Sequence, residues 1–423
     1  MRILAFDCCA LSSCVAAAML AGCGGSQPPT GAPGAMAQRY AIESSRAKVR
    51  RIAPTSSSYH LLYSFPRYRA GFYPTAGLVD VRGMLYGTTD KGGSASDGYF
   101  ANGIVYRTST TGATKVLHRF GGGDSDGARP FAGLIEVNGT LYGTTQWGGS
   151  GKCANESGDS GCGTVYSIST SGKEKMLYSF ARGSDGANPD ASLIDVNGTL
   201  YGTTARGGAS ACSGNGCGTV YSISTTGAEK VLYSFAGGSD GANPVAGLID
   251  VKGTLYGTTT KGGSSGNGTV YSISTTGTEK VLYSFAGGSD GANPVAGLID
   301  VKGTLYGTTS GGGSSDNGTV YSISTTGTEE VLYSFRGYSY GGEPLAPLID
   351  VKGALYGTTA YGTVYSISTT GAETLLYHFT GEKSGESPAA PLIVVNDTLY
   401  GTTTKGGSGC GHIGCGTIFT FSL

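Results

Sequence analysis

The pentapeptide Leu-Tyr-Gly-Thr-Thr begins at Leu85, Leu141, Leu200, Leu255, Leu305, Leu355 and Leu399. Seven copies of one short unit constrain the chain more than any other feature. Such a unit is too small to bury its own apolar face and must stack against its neighbours, so the sequence demands a repeat architecture. A proline stands eleven residues before every copy, at Pro74, Pro130, Pro189, Pro244, Pro294, Pro344 and Pro388. Between proline and pentapeptide lies a β-type run such as Ala246–Val251, then Lys252-Gly253, or Asn138-Gly139 and Asn197-Gly198 in other copies. Two short runs flanking such a dipeptide predict a hairpin whose turn has positive φ. These are strands a and b.

A third strand, c, begins at or after Gly103, Gly163, Gly218, Gly268, Gly318, Gly362 and Gly416, and ends at turns such as Thr276-Gly277. A fourth, d, follows at once, as in Lys280–Phe285, and its Phe lies seventeen residues after that Gly in all six complete copies. Four antiparallel strands per copy make a propeller blade. The seventh copy stops at Leu423 without a strand d, while an orphan strand d, His60–Phe65, precedes the first copy. The fold predicted is therefore all-β: a seven-bladed β-propeller of four-stranded antiparallel blades, with the N-terminal strand closing the last blade and removing open edges. With 76 glycines and 13% charged residues, the composition suits tight turns and short strands.

Three domains follow. Residues 1–22 read as a lipoprotein signal peptide: Arg2, an apolar run too short to span a bilayer, then Leu20-Ala21-Gly22-Cys23. The last four resemble the bacterial lipoprotein box, which implies lipidation of Cys23 and attachment to the cell envelope, at the outer membrane or the cell surface; a plain secretion signal is the alternative. Residues 23–58 are a Gly/Pro/Ser/Ala-rich tether, in which Arg39, Arg46, Lys48, Arg50 and Arg51 face only Glu43. Beside anionic headgroups each such cation adds about 1 kcal/mol of membrane attraction. Residues 59–423 are the propeller, mildly acidic and without the basic stripe that nucleic acid requires. It is expected to be a monomer.

Length varies in one place only. From the Leu of strand b to the Gly of strand c the spacings are 18, 22, 18, 13, 13, 7 and 17 residues. The long b–c loops belong to blades 7, 1, 2 and 3, neighbours around a ring, and predict a raised crescent on one face. Six cysteines pair within three of these loops, Cys153 with Cys162, Cys212 with Cys217 and Cys410 with Cys415, and read as local disulfides of an exported chain. A zinc site is the alternative.

The ordered set Leu-Tyr-Gly-Thr-Thr, Gly-Gly, Gly-Thr-Val-Tyr, Leu-Tyr-Ser-Phe and Asp-Gly-Ala-Asn-Pro resembles the bacterial GloVer tandem repeat, found in surface proteins with varied anchors, over about residues 60–423. The resemblance implies a kelch-like propeller and no assigned activity. Blade 6 departs from the pattern, with Tyr361 where the Gly-Gly loop should be.

Near-identical blades favour a scaffold or multivalent binder over an enzyme, whose site needs unlike residues converging in one pocket. Symmetry is broken by aromatics: Tyr99, Phe100, Trp147, Tyr338 and Tyr340. Together with His412 these are the candidate contacts for a polysaccharide or another surface protein. No catalytic residue and no cofactor is expected. Asp124 and Asp126 could offer oxygens to Ca²⁺, although Asp and Asn in these loops also serve as turn formers. His60, His118 and His378, in or beside d strands, read as structural. Two other functions stand as alternatives. One is a purely structural envelope protein. The other is an extracellular polysaccharide hydrolase or lyase, for which carboxylates should gather where the a strands start; only Asp190 occupies such a position.

Overall fold

The computed structural model describes residues 59–423 apart from 67, 94–100, 156–157, 210–211, 213 and 412–413. The leader, Cys23, the tether, Tyr99, Phe100 and His412 lie outside the described residues.

Blade 4 shows how the repeat folds. Strand a (Ile249–Val251), b (Thr254–Thr259), c (Thr269–Ser274) and d (Glu279–Ser284) pair antiparallel in that order. Lys252 and Gly253 take φ of 56° and 85°, and Asp250 Oδ1 accepts the Gly253 N–H at 2.9 Å. The hairpin is the positive-φ turn that its dipeptide predicts. Strand a is shorter than its sequence suggests, because Val245–Leu248 leaves the ladder to line the central channel. A bulge between Val270 and Tyr271 shifts the c–d register and adds twist to the outer edge. Blades 1 to 6 repeat this order, and the last sheet runs Tyr59–Ser64, Thr417–Ser422, Thr398–Thr403, Ile393–Val395. The N-terminal strand therefore supplies strand d of blade 7.

Each residue of the pentapeptide has a structural task. Its Leu is fully buried in all seven blades. Its Gly is the seat for the strand c aromatic ring: a Cβ on Gly257 would stand 2.6 Å from the Tyr271 hydroxyl, and one on Gly401 would stand 2.5 Å from Phe419. The first Thr stitches blades together in every blade but the fifth, as Thr258 Oγ1 donates to Ala296 O of the next blade at 3.2 Å and Thr402 Oγ1 donates to Pro74 O at 3.1 Å. In blades 2 to 7 the second Thr bonds strand c within its own blade, as Thr259 does with Thr269 at 2.8 Å.

Further out, the Phe ending each strand d packs edge-on against the strand c ring of the next blade. Phe285 meets Tyr321 at 5.2 Å, and Phe65 from blade 7 meets Tyr106 of blade 1 at the same 5.2 Å. Each such pair adds about 1 kcal/mol beyond burial. The ring is thus closed by the same contact that joins its other seams.

At the rim, three seams carry an identical trio: a strand d Tyr, an Asp of the following loop, and the Glu that begins the next blade's strand d. Tyr178 donates to Asp185 at 2.5 Å, Tyr233 to Asp240 at 3.0 Å and Tyr283 to Asp290 at 3.0 Å. Glu229, Glu279 and Glu329 stand beside them, and burial, the largest cause, pushes each carboxyl up to about 7. Between blades 6 and 7 the Glu position holds Tyr59, stacked on Tyr377 at 4.3 Å.

Candidate binding face

The b–c loops and the d–a loops share one face and brace each other, as in the bridges Ala242 to Lys261 and Ala292 to Gly311. Disulfides Cys153–Cys162, Cys212–Cys217 and Cys410–Cys415 pin three of the long loops. The pairs are bonded cysteines, which leaves no thiolate for zinc.

Trp147 does not serve the crescent as an exposed platform. It is 5% exposed, pairs in a short ladder with Ala128, and donates its indole N–H to Gln146 Oε1 at 2.9 Å. An indole on a glycine-rich loop is the only large apolar group available to anchor that loop, so it packs inward. Its reading as a ligand contact is corrected to that of a residue holding Gln146 in place.

Gln146 in turn supports Asp190 at the mouth of the central channel, a cavity of about 510 Å³. One residue per blade rings this mouth: Thr75, Phe131, Asp190, Val245, Val295, Leu345 and Ala389. Burial in this apolar ring pushes the Asp190 carboxyl up to about 6, against the lowering influence of Gln146, Arg206 and Arg129. Nearby, Arg129 takes the place of the Asn that precedes the proline in blades 3 to 5. Its guanidinium grips Asp90 in a fork at 2.9 and 3.0 Å and Asp159 at 3.0 Å. Sequence reasoning missed this network because its members lie in three separate loops. The one available signal was Arg129 standing where Asn188, Asn243 and Asn293 stand in the neighbouring copies.

Asp124 and Asp126 are not brought together as an oxygen cage. Asp124 is exposed, whereas Asp126 accepts the N–H groups of Gly121 at 2.6 Å and Gly127 at 2.7 Å and lies 3.5 Å from His118 Nε2. The second aspartate ties its loop to its own backbone, as turn chemistry requires.

A further concavity lies over blade 6, on the other side of the ring from blades 1 to 3. Strands b and c there are joined by a tight turn, closed by the Gly362 N–H to Thr359 O bond at 2.9 Å. The missing loop leaves a groove of about 1160 Å³ between the loops of blades 5 and 6, lined by Tyr338, Tyr361, Asn317, Ser315, His378 and Glu386. Tyr361 is 40% exposed, its ring lies against Gly342, and its hydroxyl donates to Glu343 Oε1 at 3.1 Å. Tyr340 is 46% exposed and Tyr338 is 87% exposed. Tyr338 also has φ of 49°, at the position where other blades place Gly183 and Gly288. A tyrosine in the left-handed region costs about 1–2 kcal/mol relative to an ordinary conformation. Here no burial offsets that cost.

These features define the molecule as a closed seven-bladed β-propeller with one grooved loop face. Residues 152–362 match the Gloeobacter/Verrucomicrobia repeat, and the chain belongs to that repeat family. A search of curated proteins finds no match. Among solved structures, the computationally designed Ika8 protein is similar at 14% identity, covering 86% of this chain and 99% of its own, with a TM-score of 0.48. BamB from Moraxella catarrhalis is similar at 10% identity, covering 86% of this chain and 100% of its own, with a TM-score of 0.46. A luciferin-regenerating enzyme shares 15% identity over 67% of this chain and 88% of its own, with a TM-score of 0.42.

Proposed function

We propose that this protein is a non-catalytic binding module of the bacterial cell envelope that holds a polysaccharide in the groove over blade 6. The observation that carries the reading is Tyr338, an almost fully exposed ring on strained backbone where sister blades keep glycine. Strain without local compensation points to a task outside the fold. A flat ring stacks on the apolar face of a sugar, and Tyr361, Asn317 and Ser315 offer a second ring, an amide and a hydroxyl to the sugar's own hydroxyls.

The chemistry at the channel mouth supports binding rather than hydrolysis. Glycoside cleavage uses two carboxyl groups facing one bond. Among the described residues, Asp90 and Asp159 are both engaged by the Arg129 guanidinium, and Asp190 lies at the mouth within reach of the Asp90 and Arg129 charges. The lipobox-like sequence ending at Cys23 supports placement in the envelope, and disulfides in three loops suit an oxidising compartment.

Tyr338→Gly separates function from folding. Restoring the repeat's own residue relieves the backbone, so stability rises by about 1 kcal/mol while the stacking ring is lost. Purified wild type and variant are compared for retention on peptidoglycan, lipopolysaccharide and exopolysaccharide. A loss of about tenfold in affinity, the equivalent of about 1.4 kcal/mol, is expected for the polysaccharide that binds. Equal retention of both forms on every polymer, or none by the wild type, would overturn the reading.

A further inference from the structure

The seam between blades 1 and 2 differs from its three sister seams by one atom set. Where those place a tyrosine hydroxyl between an aspartate and a glutamate, this seam places the imidazole of His118 between Asp126 and Glu174. A phenol supplies a proton to a carboxylate. With its proton on Nδ1, a neutral imidazole presents the Nε2 lone pair to two carboxylates, and a cation between them satisfies all three.

We propose that His118, Asp126 and Glu174 form a site for a divalent transition-metal ion of the Zn²⁺ class. One ligand atom from each lies within 4.8 Å of the others, and His118 Nε2 stands 3.5 Å from Asp126 Oδ2. Ligands at about 2.0–2.2 Å in a tetrahedron stand about 3.4 Å apart, so small side-chain rotations close the set. His118 Nε2 and Glu174 Oε1 are both buried and without a hydrogen-bond partner. The ligands are also held from behind: the Gly121 and Gly127 N–H groups orient the Asp126 carboxylate, and Phe120 packs edge-on against the His118 ring at 4.7 Å. One nitrogen with two carboxylates favours Zn²⁺ over Ca²⁺ or Mg²⁺, which take oxygen ligands in larger number. The side chains of His118 and Asp126 are each 19% exposed, so the trio lies just beneath the surface.

The alternative occupant of the same geometry is a proton, with His118 as an imidazolium bridging both acids. Isothermal titration of the mature protein with Zn²⁺ at neutral pH distinguishes the two, with Co²⁺ absorption as a second readout. Wild type is expected to bind one ion with tetrahedral Co²⁺ bands and to melt at higher temperature as Zn²⁺ is added. His118→Tyr installs the residue the sister seams already fold around. It should keep the metal-free melting temperature while weakening Zn²⁺ at least a hundredfold; Glu174→Gln should weaken it at least tenfold. No binding by the wild type, or equal binding by wild type and His118→Tyr, would overturn the site and leave the imidazolium bridge.

Discussion

Replacing Glu279 with glutamine should make the propeller more stable at alkaline pH and leave it unchanged at acid pH. Glu279 begins strand d of blade 4 and stands beside Tyr233 and Asp240 at the seam between blades 3 and 4. Its carboxyl has an ordinary value of 4.5 and is pushed up to about 7, first by burial and then by the Asp240 charge, while the Tyr233 hydroxyl pulls it back. A raised carboxyl means that the fold prefers the neutral acid. The resulting stability is complete below pH 4.5 and is lost as pH rises through about 7. At 1.36 kcal/mol per tenfold, a sealed group would forfeit about 3 kcal/mol. Glu279 is only partly buried, and solvent screening reduces this to about 1 kcal/mol. Glutamine stays neutral at every pH and can donate an amide N–H to the Tyr233 oxygen, whose own proton goes to Asp240. Glu229 and Glu329 repeat the arrangement at separate seams, so the triple glutamine variant should gain about 3 kcal/mol at pH ~8.5 and about nothing at pH ~4.5. Urea denaturation at those two pH values reads the difference directly. A variant no more stable than wild type at the higher pH, or one whose advantage is the same at both, would refute the reasoning.

Two further perturbations test the fold. Six strand c tyrosines, Tyr106, Tyr166, Tyr221, Tyr271, Tyr321 and Tyr365, bury hydroxyls with no hydrogen-bond partner, whereas blade 7 uses Phe419 at the equivalent position. Tyr271→Phe should therefore be neutral or stabilising by about 1 kcal/mol in urea denaturation, and a loss of that size would reveal a partner such as a buried water. Deleting the residues before Phe65 removes the strand that pairs with Thr417–Ser422 and exposes that edge. Light scattering should then show association absent from the intact protein, whereas a stable monomer would show that the ring does not depend on this closure.

Much of this molecule was legible in the linear sequence because the constraint is repeated seven times. Blade count, the a–b hairpins at dipeptides such as Lys252-Gly253, the closing strand and the three cysteine pairs all rest on local spacing, and spacing survives in one dimension. Turn chemistry and strand alternation act over a few residues, so the chain itself states them. The reason the pentapeptide contains Gly257 was not legible, since it lies in a ring from another strand that would collide with a Cβ. Nor were the outward or inward fates of the aromatics. Trp147 and Tyr338 both interrupt a glycine-rich loop, yet one fills a void beneath its loop and the other stands 87% exposed above a gap. What separates them is the length of a neighbouring blade's loop, which only the closed ring brings alongside. The same holds for His118, Asp126 and Glu174, and for Arg129 with Asp90 and Asp159. The sequence determined that there would be seven blades, and tertiary closure decided which of their exceptions meet, because seams between blades join residues that no local spacing relates.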